Sequence, residues 1–261
     1  MKIIALDAGH GMTTAGKEIT LSGYPKTKEW YLNDRISDRV EELLSDYDCK
    51  VIRVGDTTGK KDISLAQRVK TANNAGATVY ISVHHDSGVG GSKGGGTTVF
   101  YYSNSSARLS QAQRLYNAVI SKTGLVGNRA NKVVKKGFYV IKNTKMPAFL
   151  IENGFMDSAT DVPIILSPEH AEKTAQGILS FLVSEYSLKK KDTPHPSATL
   201  TPSPQGEGFD VESLRDDCVL LAAKGIINSP DYWAKGSGYS DENTALLIKK
   251  FAEYVRNTMR N

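Results

Sequence analysis

The sequence predicts an α/β fold: a twisted, mostly parallel sheet flanked by helices, followed by a small C-terminal all-α domain. Three observations carry this expectation. Over residues 1–187 short apolar runs alternate with segments of helical period, the pattern that builds a parallel sheet. A Pro/Ser-rich stretch with almost no large apolar residue, 188–208, then interrupts the alternation and suits an extended linker. Beyond it, 209–261 shows helical periodicity alone.

Taken in order, residues 2–7 (KIIALD) read as the first strand. A helix follows from about Glu29 to Tyr47, with Leu32, Ile36, Val40, Leu43 and Tyr47 at helical spacing. CKVIRV is the next strand, and Ser64 caps a helix that runs through Leu65, Val69 and Ala72 to Gly76. The strand TVYISV, a Gly-rich turn and the strand TTVFYY come next, and then a helix from about Ala107 to Lys122 that Gly124 stops. GFYVIK and PAFLIE read as two further strands. Ser167-Pro168, an N-cap followed by a first-position proline, opens the last helix of this part. After the linker, VESLRDDCVLLAAKG ends on Gly225 and SPDYW suits a short helical turn. A third helix starts at Ser240, with Asp241 and Glu242 in its first turn and Ile248, Phe251, Ala252, Val255 and Met259 on one face. About fifty residues make a marginal core, so this module is expected to dock or to form a homo-oligomer.

The chain has 261 residues, of which 39% are hydrophobic and 23% charged, enough for one sizeable core and a small second module. No window approaches the roughly 18 apolar residues of a membrane span. From Met1 and Lys2 the sequence runs into IIAL and at once into DAGHG, too short an apolar run for a signal peptide, which takes about 7–15 residues. The expectation is a protein made in the cytoplasm and released by another route. The net charge is +5, and the excess lies in 1–187. A basic surface favours anionic partners. Nucleic acid is not supported, because no RNP-like, helix-turn-helix or zinc-finger pattern occurs. Cys49 and Cys218 have no C-x-x-C spacing and read as two free, inert thiols.

Three strand-like runs end in residues able to carry chemistry. KIIALDAGHG brings His10, TVYISVHHD brings His84 and AFLIENGF brings Glu152; Glu29 opens the first long helix. If the three runs lie parallel in one sheet, their carboxyl ends open onto one crevice, where open α/β sheets bind ligands. Two histidines and a glutamate form the open zinc set of a hydrolase, and a spare glutamate can act on the activated water. Each residue alone has a blander reading: a structural histidine, a helix-start acid, the partner of a buried cation. Their shared position at strand ends favours the joint reading. Side chains of His84 and His85 point to opposite sides of an extended strand, so one of the two faces the site.

These residues also resemble a known family. DAGHG, the downstream Glu29, SVHHD and NTKMPAFLIENGFMDS are similar, in the right order, to the signature of the zinc-dependent N-acetylmuramoyl-L-alanine amidases of the type-3 amidase family. The resemblance covers residues 1 to about 186. It implies Zn2+ held by His10, Glu29 and His84, Glu152 as the catalytic carboxylate, a twisted α/β sheet, and cleavage of the amide joining muramic acid to L-alanine in peptidoglycan. The chain departs from the family at His85, where a small residue is usual, at Asn153, where a hydrophobic one is, and at GMTTAGKE after the first histidine. His85 is expected to support the site, contact substrate, or lie on the surface.

With no signal, a basic first module and a small second one, the expected protein is a phage or prophage endolysin that degrades the cell wall. Its C-terminal module would bind anionic cell-wall polymers or self-associate. A host autolysin or sporulation enzyme is the alternative within the same chemistry. A zinc peptidase cutting stem peptides and a non-catalytic wall-binding protein are the alternatives outside it. GVGGSKGGG at 88–96 opens no helix, fails the context of a phosphate-binding loop, and reads as a flexible turn near the site. Tyr232-Trp233 suits either a sugar-stacking surface or a small core.

Overall fold

The computed structural model describes residues 1–191, and the linker from 192 and the C-terminal module with Cys218 and Tyr232-Trp233 lie outside the described residues. Six strands form one sheet: β1 (Lys2–Ala8), β2 (Cys49–Arg53), β3 (Val79–Asp86), β4 (Thr97–Tyr101), β5 (Val133–Lys135) and β6 (Ala148–Phe155). Their order is β2-β1-β3-β6-β4-β5. β2, β1, β3 and β6 are mutually parallel, and β4 runs antiparallel to β6. The sheet is thus mostly parallel, as the βα alternation predicts.

Helices α1 (Glu29–Leu44), α3 (Ser106–Thr123) and α6 (Pro168–Tyr186) cover one face, and α2 (Leu65–Asn74) and α4 (Tyr139–Asn143) the other; α5 (Val162–Ile165) is a single turn before α6. The period-2 alternation of each strand decides which side chain meets which layer. Ile4, Leu6, Val79, Ile81, Val83, Phe149 and Ile151 pack with Ile36, Leu115 and Ile178 on the first face. Ala5, Tyr80 and Leu150 pack with Val69, Ala72 and Val140 on the second. Strands buried on both faces read as continuous apolar runs, which is why they were legible.

The helix ends follow the local chemistry. Ser64 Oγ accepts the Gln67 N–H and Ser167 Oγ accepts the His170 N–H, each supplying an acceptor that the first helical turn lacks. Gly124 closes α3 in the left-handed conformation at φ 67°. One element differs from the sequence expectation. GFYVIK, read as a strand, instead forms α4. Val140 and Ile141 are buried on the α2 side of the sheet, and the Asn73 amide holds the Asn143 carbonyl at 3.2 Å. The place beside β4 is taken by the short strand β5, so tertiary packing overrides the β propensity of Tyr-Val-Ile. At the end of α6 the chain stays against this unit: Leu188 is buried, Lys190 bridges to Tyr47, and the Lys191 N–H donates to the Asp46 carbonyl.

Candidate active site

β1 stands between β2 and β3 in the sheet: the connection from β1 to β2 runs through α1 on one face, and that from β2 across to β3 runs through α2 on the other, so the strand order reverses between β1 and β3. This is a topological switch point, where the carboxyl ends of the strands leave a crevice. His10 follows β1, His84 stands near the end of β3, and Glu152 is its direct register partner on β6. Glu29, the first residue of α1, closes the group from above. All four side chains named from the sequence therefore meet in one place.

Glu29 is the hub. It is fully buried, and its Oε1 lies 3.0 Å from His84 Nδ1 and accepts the His85 N–H at 3.2 Å. Its Oε2 lies 3.3 Å from His10 Nε2 and 3.8 Å from the Lys17 ammonium, yet accepts no hydrogen bond. The donor atoms of His10, Glu29 and His84 fall within 4.8 Å of one another, and the two imidazoles meet edge to face with centroids 5.0 Å apart. Burial opposes ionisation of Glu29, but the two imidazoles of His10 and His84 beside it outweigh this and hold the carboxyl far below its ordinary range. His84 responds in the opposite direction: burial is overcome by Glu29 and Glu152, and its pKa rises.

Glycine makes this convergence geometrically feasible. The His84 ring lies against the backbone of Gly9, where any Cβ would run into the imidazole. His10 then takes a left-handed backbone at φ 68°, a conformation costing most residues of order 1–3 kcal/mol. Arg68, also fully buried, holds that turn: it donates to the His10 carbonyl at 2.7 Å, the Ala8 carbonyl at 2.8 Å and Asp7 Oδ1 at 2.5 Å. Asp7 in turn accepts from Tyr80 and Ser82 hydroxyls at 2.7 and 2.8 Å.

Glu152 occupies a different environment. It has no ion-pair partner among the described residues, and its Oε2 is buried without a hydrogen bond. Burial raises its pKa to about 8; His84 works against this, while Glu29 and Asp86 add to it. Two carboxylates in one site are thus driven apart, one ionised and one poised near neutrality, the pattern that separates a ligand from an acid–base group.

Sequence reasoning had left His85 open between support, substrate contact and surface. It is buried on the opposite face of β3, toward α1. Its Nδ1 donates to Asn33 Oδ1 at 2.8 Å, and the Asn33 amide donates to the Gly9 carbonyl at 3.2 Å and Glu29 Oε1 at 3.3 Å. Asn153 lies on the same face: its amide donates to the His84 carbonyl at 3.1 Å, and its carbonyl accepts from His170 at 3.2 Å. Two of the three departures from the family pattern, His85 and Asn153, thus belong to one buried polar layer behind the site. Asn33, Arg68 and Asp7 were missed. The one signal for them was polar residues at positions that the apolar period assigns to the interior.

The Gly-rich segment 88–96 is pinned. Asp157 Oδ2 accepts the N–H groups of Gly88, Val89 and Gly90 at 2.8–2.9 Å, and Asp161 Oδ2 accepts that of Gly96 at 2.7 Å. With these amides committed to carboxylates of its own chain, the segment offers no cradle for a phosphate.

The cleft has two lobes that share Glu152 and Phe138. One, of about 480 Å3, is lined by His10, Lys17, His84, Leu65 and Tyr139; the other, of about 450 Å3, by Asp86, Arg129, Asn131 and Lys136. No helix among the described residues is long and apolar enough to cross a membrane.

Comparison with known proteins gives a consistent picture. A family model described as N-acetylmuramoyl-L-alanine amidase matches residues 4–184. The N-acetylmuramoyl-L-alanine amidase CwlM of Bacillus licheniformis is 28% identical over 195 residues, covering 72% of this chain and 70% of that one. The endolysin of Bacillus phage SPP1 is 29% identical over 194 residues, covering 73% and 68%. Among solved structures, the catalytic domain of the amidase CwlV from Bacillus (Paenibacillus) polymyxa var. colistinus superposes with a TM-score of 0.63 at 27% identity, covering 72% of this chain and all of that one.

Proposed function

Because the chain belongs to the N-acetylmuramoyl-L-alanine amidase family, which hydrolyses the amide between muramic acid and L-alanine in peptidoglycan, we propose that His10, Glu29 and His84 hold a zinc ion and that Glu152 moves the protons. The observation that carries this reading is the convergence of the three donors within 4.8 Å, with Glu152 beside His84 in the same crevice. The residues fit the metal. Two imidazoles and one carboxylate are the three-ligand set of a hydrolytic zinc site, and the buried Glu29 Oε2, which faces Lys17 at 3.8 Å but accepts no hydrogen bond, has a lone pair free for a metal. When bound, zinc supplies a Lewis acid that lowers the pKa of water towards about 7 and steadies developing negative charge.

The remaining chemistry falls to side chains of the chain itself. Glu152 takes a proton from the attacking water, whose oxygen forms the new C–O bond at the lactyl carbonyl. As the C–N bond breaks, the same carboxyl returns that proton to the leaving nitrogen of L-alanine. Burial raises the pKa of this carboxyl, which makes its ionised form a stronger base for the first half of the exchange and lets it hold the proton until the second. Glu29 stays ionised throughout, and Asn33 and Arg68 hold the ligands in place.

In its biological setting the chain reads as an endolysin that degrades the wall after release from the cell, a reading supported by its likeness to the phage SPP1 endolysin. Residues 209–261 would serve targeting to anionic wall polymers or self-association, with 188–208 as the linker. Digestion of purified walls with and without added zinc tests the core of the proposal. New amino termini on L-alanine, lost on chelation and restored by zinc, are expected. Termini on another residue would point to a stem peptidase instead. A chain ending at Lys191 is expected to keep hydrolysis of soluble fragments, and to lose either wall binding or self-association. Retention of both would remove these roles from the second module.

A further inference from the structure

The reaction as described uses the lobe that holds His10 and His84. The second lobe lies across Glu152 and Phe138 and is distinct in chemistry. The first lobe has apolar and aromatic walls, Leu65, Tyr139, Val140 and Leu150 among them, and its two cations are both engaged: Lys17 stands against Glu29, and Arg68 is paired with Asp7 and Asp62. The second carries two cations. The Arg129 guanidinium is stacked on the Phe155 ring at 4.5 Å and braced by Asp86 Oδ2 at 3.0 Å, so it is oriented in advance. That contact engages one of its N–H groups, and the rest have no partner among the described residues. The Lys136 ammonium lies 5.2 Å from the Phe138 ring centroid and makes no ion pair among the described residues.

A substrate whose scissile amide sits at Glu152 must extend both ways, because Glu152 lines both lobes. The two sides of that amide differ in charge. The glycan side is uncharged and presents sugar faces that suit aromatic walls, whereas the peptide side carries free carboxylates. We propose that the lobe lined by Arg129 and Lys136 receives the peptide side and pairs with a stem carboxylate there. Arg129 offers a rigid fork of N–H donors, and Lys136 adds a point charge. Asp86 offsets part of this charge and at the same time fixes the guanidinium plane. The inference rests on the amidase reading and adds to it the direction in which substrate lies and the feature it is selected by.

The test uses the full chain and soluble glycan fragments bearing the L-alanyl-glutamyl stem. One sample keeps its carboxylates free; the other has them converted to amides with ammonium and a carbodiimide. The readout is kcat/KM for release of L-alanine amino groups, expressed as the ratio of free to amidated substrate. That ratio does not depend on how much of a preparation is folded, so a poorly behaved variant still gives an answer. The wild type is expected to favour the free form about tenfold, in line with a charge-assisted hydrogen bond, with the preference shrinking as salt is added. In Lys136→Gln and in Arg129→Gln the ratio is expected to fall towards one, with the loss on the free substrate appearing in KM. A wild type that cuts both substrates equally well, or variants that keep the wild-type ratio, would overturn the assignment. New amino termini on residues other than L-alanine would instead refute the amidase reading, and this inference would fall with it.

Discussion

Arg68 donates to the carbonyl oxygen of His10 at 2.7 Å, and His10 holds a left-handed backbone at φ 68°. An arginine on α2 thus fixes a conformation at the end of β1 that a histidine does not readily adopt. The same guanidinium satisfies the Ala8 carbonyl and neutralises Asp7, whose carboxyl is held below its ordinary range: burial opposes this, and Arg68 and His84 outweigh it. Arg68→Met leaves Asp7 buried without its counterion and should cost about 3–5 kcal/mol of stability. Arg68→Lys keeps the charge but not the fork, and should weaken zinc binding by about 10–100-fold through the freed His10 turn. Denaturant unfolding and zinc titration against a competing chelator check the two. An Arg68→Lys enzyme with unchanged zinc affinity would show that the turn holds without it.

Asn33 plays the corresponding part for Glu29. It accepts from His85 and donates to Glu29 and the Gly9 carbonyl, so one buried amide aligns a helix start with a strand end. Its oxygen is the acceptor toward His85, which puts the imidazole proton on Nδ1 and leaves Nε2 bare. Asn33→Leu is expected to destabilise the fold by about 1–3 kcal/mol, the cost of stranding buried polar groups. It should also weaken zinc about 10–100-fold. Zinc affinity equal to wild type would assign Asn33 to the core alone.

What the sequence disclosed, and what it withheld, follows from range. His84, Glu152 and His10 were legible because each follows a run of residues buried on both faces of the sheet, and such runs are unmistakable over five or six positions. Glu29 was legible only in company, since an acid at a helix start is ordinary. Arg68 and Asp7 stand 61 positions apart, and nothing local to either announces the other. Segment 137–142 misled because Tyr-Val-Ile favours a strand in isolation, while the site it must fill, over α2, accommodates a helical turn. His85 could be set on the far side of β3 from His84 by alternation alone, but its burial depends on α1 and α6.

The buried layer behind the site should make the fold sensitive to mild acid. Burial pushes the pKa of His170 down to about 4 and that of His85 down to about 3, against an unfolded value of about 6.5. Both are therefore neutral when folded and protonate first in the unfolded chain. Their contribution is complete above about pH 6.5. As pH falls, stability is lost through His170 down to about 4 and through His85 down to about 3. Between pH 7 and 4.5 His170 alone accounts for about 2–3 kcal/mol. His170→Gln keeps a donor for the Asn153 carbonyl but cannot titrate. Its unfolding free energy should change correspondingly less than that of wild type over the same interval. Parallel curves for the two proteins would exclude His170 as a source of acid sensitivity.

Glu152 and its three neighbours should respond to substitution in two separable ways. His10→Ala or His84→Ala removes one of three donors and is expected to abolish activity by loss of metal, which metal analysis of the purified variant reads directly. Glu29→Gln belongs with them: its ionised carboxyl, held by two imidazoles, is what a cation would neutralise, and the amide presents one neutral oxygen in its place. Glu152→Gln differs. The amide has nearly the same shape and leaves the donor cluster intact, so zinc should bind with wild-type stoichiometry. It cannot accept a proton from water, and the rate should fall by at least about 10²–10⁴-fold, the range of general acid–base catalysis. Metal content measured beside amidase rate on all four variants separates the two classes. If Glu152→Gln stayed fully active with zinc bound, proton transfer would have to run through another group. If Glu29→Gln kept both metal and rate, Glu29 would be an ordinary acid at the start of a helix.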